Sequence, residues 1–578
     1  MPQRAPSTAL AAPHTTPLGQ MVRAQQQAKG TPYTSGFSLL GGADAAFSSR
    51  LALTQAATQT LDLQYYAIHA DASSAHLLKA VVQAARRGVR VRVLLDDFHG
   101  AGKNAQVMRL AFVPGIEMRM FNPLTGPRGS TVMRALSTLT DFQRAQQRMH
   151  NKLFIADNSI GITGGRNLGD AYFDALDSDN FIDLDVMAAG SVVRQLSSSF
   201  DRYWNDARAY PVSSLISEAE LLQLRAAAEQ TDSNTDSPAP VNSTVTLPPM
   251  DLQAVDWIWA PALVLADAPG KIPLPPEDVT QPTDDSSSSS SSSSSSTAPG
   301  DPGASDATSP KAVSSAAAAT QLPPSTTSLV PHIPKSLSSS TASRSSSNRQ
   351  ALREVLEPVV TQDNVVSGLL ALADQATTDI LIVSPYFVPG PDMKTAFARA
   401  LARGVRLRIL TNSLASNDAP LAHAGYARHR KELLEQGIEL YELRSLQDGK
   451  AGAGTLRSTA GHITGSQGGS RAMLHSKMLV FDHKLTVVGS MNLDMRSQLQ
   501  NTEIALLIAS RQLAREATAN IEASLDEAAW RVESTEAGLV WRAPADSDWG
   551  DQTHEPDASL PLRLMIYIIG PFAPDHLL

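Results

Sequence analysis

Short apolar runs alternate along the chain with amphipathic stretches of helical period, and the order of the two occurs twice. In the first pass, the pattern predicts a helix over Ala45–Thr58, a buried strand over Leu61–Ala67 and a helix over Ser73–Arg87. Gly88 ends that helix, and a strand over Val89–Leu95 follows. A further step runs through Gln106–Phe112 to a strand at Ile116–Phe121. A strand at Ile182–Met187 and a helix from Val192 to about Asp206 come later. In the second pass the helices fall at Val365–Gln375, Lys394–Arg403 and Tyr426–Glu435. The strands fall at Ile380–Val383, Val405–Leu410, Ile438–Leu443 and Glu503–Ile508. Strand, helix and parallel strand make a βαβ unit, and matching elements in matching order mark an internal duplication. The expected fold class is α/β: two pseudo-symmetric halves, each a mixed β-sheet flanked by helices.

The pattern stops between the halves. A Ser run at 286–296, with many Pro, Ala and Thr around it, cannot bury enough apolar surface to offset its ordering entropy. Disorder is expected over 270–348. Within the same linker, Val255–Leu265, with Trp257 and Trp259, reads as a strand joining the second half. The expected division is a poorly ordered lead-in at 1–36, a first half at 37–215, a linker at 216–349, a second half at 350–545 and a tail at 546–578. In the tail, Leu560–Phe572 is apolar but too short to span a bilayer, and reads as a core strand or an interfacial segment.

Composition adds little and excludes more. The 578 residues include no cysteine, so disulfides, thiolate metal sites and cysteine nucleophiles are out. No apolar run is long enough for a spanning helix, and residues 1–36 lack the apolar core of a secretory signal. The net charge of −9 is misleading, because residues 229–348 hold 12 acidic and 4 basic side chains. The folded part is therefore close to neutral and lacks the basic excess of a nucleic-acid binder.

The duplication carries chemistry. The first copy reads His150-Asn151-Lys152 with Asp157, then Gly164-Gly165-Arg166-Asn167; the second reads His475-Ser476-Lys477 with Asp482, then Gly489-Ser490-Met491-Asn492. Both follow H-x-K-x4-D-x6-G-(G/S)-x-N. Alternation along a strand sets His150 and Lys152 on one face against Leu153 and Ile155, and His475 and Lys477 against Met478 and Val480. Each copy offers an imidazole, a fixed cation and an amide donor, a set that suits a phosphate. With two imidazoles, one attacks phosphorus while the other protonates the leaving oxygen. Lysine and asparagine supply the charge stabilisation, so no metal and no cofactor is expected. Asp157 and Asp482 belong to the motif, although their place at the far end of its strand suits a turn.

The two motifs, with LDLQYYAIHAD from Leu61, AARRGVRVRVLLDD from Ala84, TNSLASNDAPLAHAGYARHRKELLEQGIELYEL from Thr411 and DMRSQLQNTE from Asp494, resemble the phospholipase D superfamily. The flanking text looks like a bacterial cardiolipin synthase of the C type, and the likeness covers most of residues 37–215 and 350–510. It implies one composite active site, with His150 as nucleophile, His475 as general acid/base, and Asp183 and Glu503 as the carboxylates that orient them. Arg496, Ser497, Asn501, Tyr386 and Asn412 are expected to line the substrate pocket. The implied reaction is phosphatidyl transfer to phosphatidylglycerol from phosphatidylethanolamine or a second phosphatidylglycerol. The expected partners are these lipids and a membrane surface, with no nucleic acid, and the expected location is cytoplasmic, peripheral at the inner membrane. The alternatives are a hydrolytic phospholipase D or nuclease using the same residues with water, and a non-catalytic membrane scaffold.

Overall fold

The computed structural model describes residues 4–124, 128, 142–173, 179–223, 247–273, 359, 362, 364–445, 471–572, 574 and 575. The first half contributes strands β1 (Ser35–Leu40), β2 (Thr60–Tyr65), β3 (Arg90–Asp96), β4 (Ile116–Phe121), β5 (Leu153–Ala156), β6 (Ile160–Gly164), β7 (Asp179–Ile182), β8 (Asp185–Gly190) and β9 (Ala209–Pro211). Its helices are α1 (Pro17–Ala28), α2 (Ala43–Ala56), α3 (Ala72–Arg86), α4 (Phe142–Gln146) and α5 (Ser191–Trp204). Two short strands follow, β10 (Ile258–Trp259) and β11 (Ala262–Ala266). The second half adds β12 (Asp379–Val383), β13 (Arg406–Asn412), β14 (Glu439–Leu443), β15 (Arg471–Leu474), β16 (Met478–Phe481), β17 (Leu485–Gly489), β18 (Ile504–Ala509), β19 (Ala529–Thr535) and β20 (Gly538–Arg542). Its helices are α6 (Val365–Ala373), α7 (Pro391–Ala402), α8 (Pro420–Ala427), α9 (Arg430–Glu435), α10 (Met495–Leu499), α11 (Arg511–Ala528) and α12 (Leu560–Ile569).

Two nine-stranded sheets result, ordered β10-β1-β8-β6-β5-β2-β3-β4-β9 and β11-β18-β17-β16-β12-β13-β14-β19-β20. In each, three parallel strands (β2, β3, β4 or β12, β13, β14) adjoin an antiparallel set that carries the motif hairpin. One apolar layer covers the outer face of each sheet, with Phe154 and Ala156 in the first and Leu479 and Phe481 in the second. The inner faces share a third layer. There Leu153, Ile155, Leu196 and Phe200 pack in one core with Met478, Val480, Leu513 and Ile521. Burying one such aliphatic side chain is worth about 1.5–3 kcal/mol, so this shared layer joins the halves into one unit.

The linker departs from expectation. Val255–Leu265 is not one strand of the second half: β10 pairs with β1 and β11 with β18. Pro261 makes the break, since it has no N–H to give a ladder, and the chain crosses there from one sheet to the other. Its carbonyl still accepts from Ala509 N (3.0 Å). β11 holds in the second sheet the place that β1 holds in the first. Only Gly41 and Gly42 separate β1 from α2, whereas β11 ends at Ala266 and α6 begins at Val365. The Ser-rich segment therefore interrupts the second half rather than preceding it; residues 274–358 themselves lie outside the described residues.

Three further differences have local causes. The described part of the lead-in packs on the first half: α1 buries Leu18 and Val22, four apart on one face, in the first core, and Gln25 accepts a 2.9 Å bond from Trp257 Nε1. The predicted helix Tyr426–Glu435 divides into α8 and α9. At the break, Arg430 turns inward to Glu442 (2.8 Å) and Glu555 (2.5 Å). In the tail, Leu560–Ile569 is helical, with Ser559 as its cap.

Candidate active site

The halves exchange their site residues. β15 pairs in parallel with β7, placing Leu474 opposite Ile182. The next residues of each chain then meet: His475 Nδ1 lies 2.7 Å from Asp183 Oδ2. A second parallel contact sets Met149 opposite Thr502, and His150 Nδ1 comes to 3.0 and 3.1 Å from the two Glu503 oxygens. Each motif histidine is thus oriented by a carboxylate of the other half. With Nδ1–H donated to a carboxylate, Nε2 is left as the lone-pair nitrogen. Main-chain bonds fix the same register, from His475 N to Ile182 O (2.8 Å) and from His150 N to Thr502 O (2.9 Å).

Each lysine folds back on its own histidine. Lys152 Nζ donates to His150 O at 2.8 Å and Lys477 Nζ to His475 O at 2.6 Å, which leaves two protons of each ammonium for a ligand. Gly165 and Ser490 show why this position is small. A Cβ at Gly165 would stand 2.4 Å from Asp183 Oδ1, while Ser490 Oγ uses the equivalent place to donate to Glu503 Oε2 (2.5 Å). Ser497 Oγ holds the other Glu503 oxygen at 2.9 Å. Asn167 Nδ2 donates to Tyr172 OH (2.9 Å), and Asn492 Oδ1 has no hydrogen-bond partner among the described residues.

Burial sets the protonation of the site. The histidines, lysines and carboxylates of both copies are nearly sealed from solvent. Desolvation holds both imidazoles well below the ordinary histidine range, and both lysines add to it at each ring. That each ring feels the lysine of the other copy is the electrostatic sign of a single composite site. Lys152 is brought down to about 7, by burial and then by Lys477. Burial pushes Glu503 up to about 7 and Asp183 up to about 6, against the pull of Lys152 and Lys477 respectively. The resting site holds neutral imidazoles, the form in which Nε2 is a nucleophile.

Two segments, residues 51–204 and 369–525, match the family described as cardiolipin synthase, PLD-like domain. The chain belongs to this phospholipase D-like cardiolipin synthase family. Cardiolipin synthase C of Escherichia coli (strain K12) is 31% identical over 500 residues, covering 86% of each chain. An uncharacterized protein of Helicobacter pylori (strain ATCC 700392 / 26695) is 28% identical over 569 residues, which is 96% of this chain and 91% of the relative. Among solved structures, the phosphatidylserine synthase of Haemophilus influenzae Rd KW20 aligns over 96% of this chain and 99% of its own. Its TM-score is 0.50 at 12% identity, a likeness of fold alone.

Several expected residues of this synthase-family site stand elsewhere. Asp157 and Asp482 close the far ends of the motif hairpins. Each aspartate and the residue after it take positive φ (50° and 49°; 51° and 50°), the two-residue turn that suits a twisted hairpin. Asp157 accepts from the backbone N–H of Thr58, Gln59 and Thr60, and Asp482 from those of Thr377, Thr378 and Asp379. They hold turns and do not join the catalytic set. Asn412 does not line the pocket either. It is fully buried, accepting from Leu474 N (2.8 Å) and donating to Leu474 O (2.9 Å), and so fixes the residue before His475. Ser497 is committed to Glu503, and Asn501 accepts from Arg148 N (3.3 Å). Tyr386 donates to Asp418 (2.7 Å), and Arg496 contributes its charge at both His150 and Tyr66.

Other members escaped the sequence reading. Tyr66 stands edge-on to His150 with ring centroids 5.1 Å apart, and Tyr172 and Phe181 flank His475 at 5.3 and 5.1 Å. Asp96, last in β3, accepts from Met149 N at 2.9 Å, as Asn412, last in β13, accepts from Leu474 N. Overlaying VRVLLDD on LRILTNS from the two passes is the signal that pairs them.

Proposed function

We propose that the chain makes cardiolipin by phosphatidyl transfer to phosphatidylglycerol, through a phosphohistidine on His150. The observation that carries this reading is the pair of crossed histidine–carboxylate contacts beside two buried lysines. His150 Nε2 attacks phosphorus, and the bond to the donor's headgroup oxygen breaks as His475 protonates that oxygen. His475 then takes the proton of the incoming hydroxyl, which attacks phosphorus and releases His150. Lys152, Lys477 and the amides of Asn167 and Asn492 balance the charge on the phosphoryl oxygens. A bound phosphodiester brings negative charge that favours the protonated form of His475 and of both lysines.

One phosphodiester is exchanged for another, so the acceptor decides the product. The aromatic wall of Tyr66, Tyr172 and Phe181 around the two imidazoles supports an alcohol acceptor over bulk water. The donor in this reading is phosphatidylethanolamine and the enzyme works at a membrane surface. Purified protein in mixed vesicles carrying label in the ethanolamine headgroup tests both points. Labelled ethanolamine is expected to appear in step with cardiolipin. Cardiolipin formed equally well without phosphatidylethanolamine overturns the donor, and phosphatidic acid as main product overturns the synthase reading.

A further inference from the structure

The C-terminal helix α12 is held to the body by one apolar face and leaves a second one bare. Leu562 and Ile566, four apart, pack on Leu414, Ala415 and Ala558. Leu560, Leu564, Tyr567 and Ile568 lie at the i, i+4, i+7, i+8 spacing of a single stripe and are 73%, 56%, 81% and 56% exposed. Phe572, just beyond the helix, is 82% exposed. With Ile569, six of the eleven exposed large apolar side chains among the described residues fall within these 13 positions. Isolated exposed apolar residues need no explanation, but a cluster of this kind marks a contact surface.

The segment is fixed at both ends. Ala558, just before the helix, is buried with Leu414 and Ala415, and Asp575 bonds to Arg428 and to His429 Nε2 (3.1 Å). Its seat adjoins the active site. Leu414 and Ala415 follow Asn412, which fixes the residue before His475, and Asp418 of the same stretch holds Tyr386. We infer that α12 and Phe572 lie in the headgroup layer of a phospholipid bilayer and seat the active-site rim against it. This rests on the lipid-substrate reading above and names the surface that meets the lipid.

Three features favour a bilayer over a protein partner. A helix of ten residues is about 15 Å long, too short to cross and suited to lying flat. Tyr567, amphipathic and almost fully exposed, is a residue type that concentrates at headgroup depth. The helix has no acidic residue, and its one charged side chain is Arg563. That charge suits anionic lipid.

The test is flotation of the full chain with vesicles of phosphatidylglycerol and phosphatidylethanolamine. The triple variant Leu564→Ser, Tyr567→Ser, Phe572→Ser should lose at least about tenfold of its bound fraction with an unchanged melting temperature. Leu222→Ser, which removes a comparably exposed side chain (51%) just past the first half, should lose none. The absence of cysteine gives a second readout. Tyr567→Cys carrying an environment-sensitive dye should shift its emission to the blue on adding vesicles, and Leu222→Cys should not. A triple variant that floats like the parent, or a dye at 567 that does not respond, overturns the proposal. So does a dimer that the triple variant dissociates without loss of flotation, since a second copy would then be the occupant. Neither readout involves turnover: a chain that docks through α12 and makes no cardiolipin overturns the proposed activity alone. One that makes cardiolipin and floats without α12 overturns this inference alone.

Discussion

At the scale of the residue, the two imidazoles are chemically alike and differ in what their partners fix. Glu503 is held by two hydroxyls, Ser490 and Ser497, while Asp183 takes a single 2.8 Å bond from its neighbour Leu184 N besides His475. Roles are therefore separated by leaving group rather than by geometry. A donor that expels p-nitrophenolate needs no general acid. On it, His475→Ala and Asp183→Asn should recover first-step turnover to within about tenfold of the parent, after losing about 10²–10⁴ on a lipid alcohol. His150→Ala and Glu503→Gln should stay inactive on both. Recovery by the His150 variant instead would exchange the two roles. The pH dependence follows from the same groups. Glu503, raised to about 7, loses its charge as pH falls through that value and no longer holds an imidazolium. Lys152, lowered to about 7, loses its charge as pH rises through it. kcat/KM, which reports the free enzyme, should peak narrowly near neutrality. Lys152→Arg, which keeps its charge at any working pH, should extend the alkaline limb whatever it does to the maximum. An alkaline limb that stays in place removes Lys152 from that role.

At the scale of the element, the motif is a hairpin with the chemistry at one end and a structural aspartate at the other. Asp157→Ala should leave turnover per folded molecule within about threefold. It deprives three backbone N–H groups of their acceptor, at about 1 kcal/mol each, so the melting temperature should fall by about 4 °C or more. Lys152→Met should do the reverse, losing at least about 10²-fold in turnover with little effect on melting. Loss of both properties in the Asp157 variant would return that residue to the site. These elements were legible because hydrophobic period and turn chemistry are local: β5, β16 and their flanking small residues lie close to where the pattern puts them. The pairing of His150 with Glu503 was not legible. Asp183 and Glu503 follow the two histidines at nearly equal spacing, which suits pairing within a half, and only the parallel contacts β15–β7 and Met149–Thr502 show the exchange. Asn412 and Asn501 read as pocket residues because a polar side chain at a strand end can face a ligand or a distant backbone group. Their partners, Leu474 and Arg148, are far along the chain. The ambiguity at Leu560–Phe572 had a different source: its apolar residues serve two faces of one helix, which hides the period of each.

At the scale of the whole molecule, the exchange makes the site a property of one intact chain. Both motif histidine–carboxylate contacts cross between the halves, and the core beneath them contains residues of both. His150→Ala and His475→Ala should therefore each abolish transfer, where two independent sites would leave about half in either variant. The same two proteins distinguish a site built within one chain from one built between chains. If β7 and β15 met across a dimer, mixing the variants would bring an intact His150–Glu503 pair to an intact His475–Asp183 pair in some assemblies, and activity would return with time. Within one chain, each variant lacks one of the two imidazoles in its only site, and no mixture supplies it. The equimolar mixture should stay at the level of either variant alone over hours at micromolar concentration. Recovery towards about a quarter of the parent rate, the share expected when random pairing makes half the dimers mixed and each mixed dimer has one intact site of two, would show that the crossed contacts form between subunits.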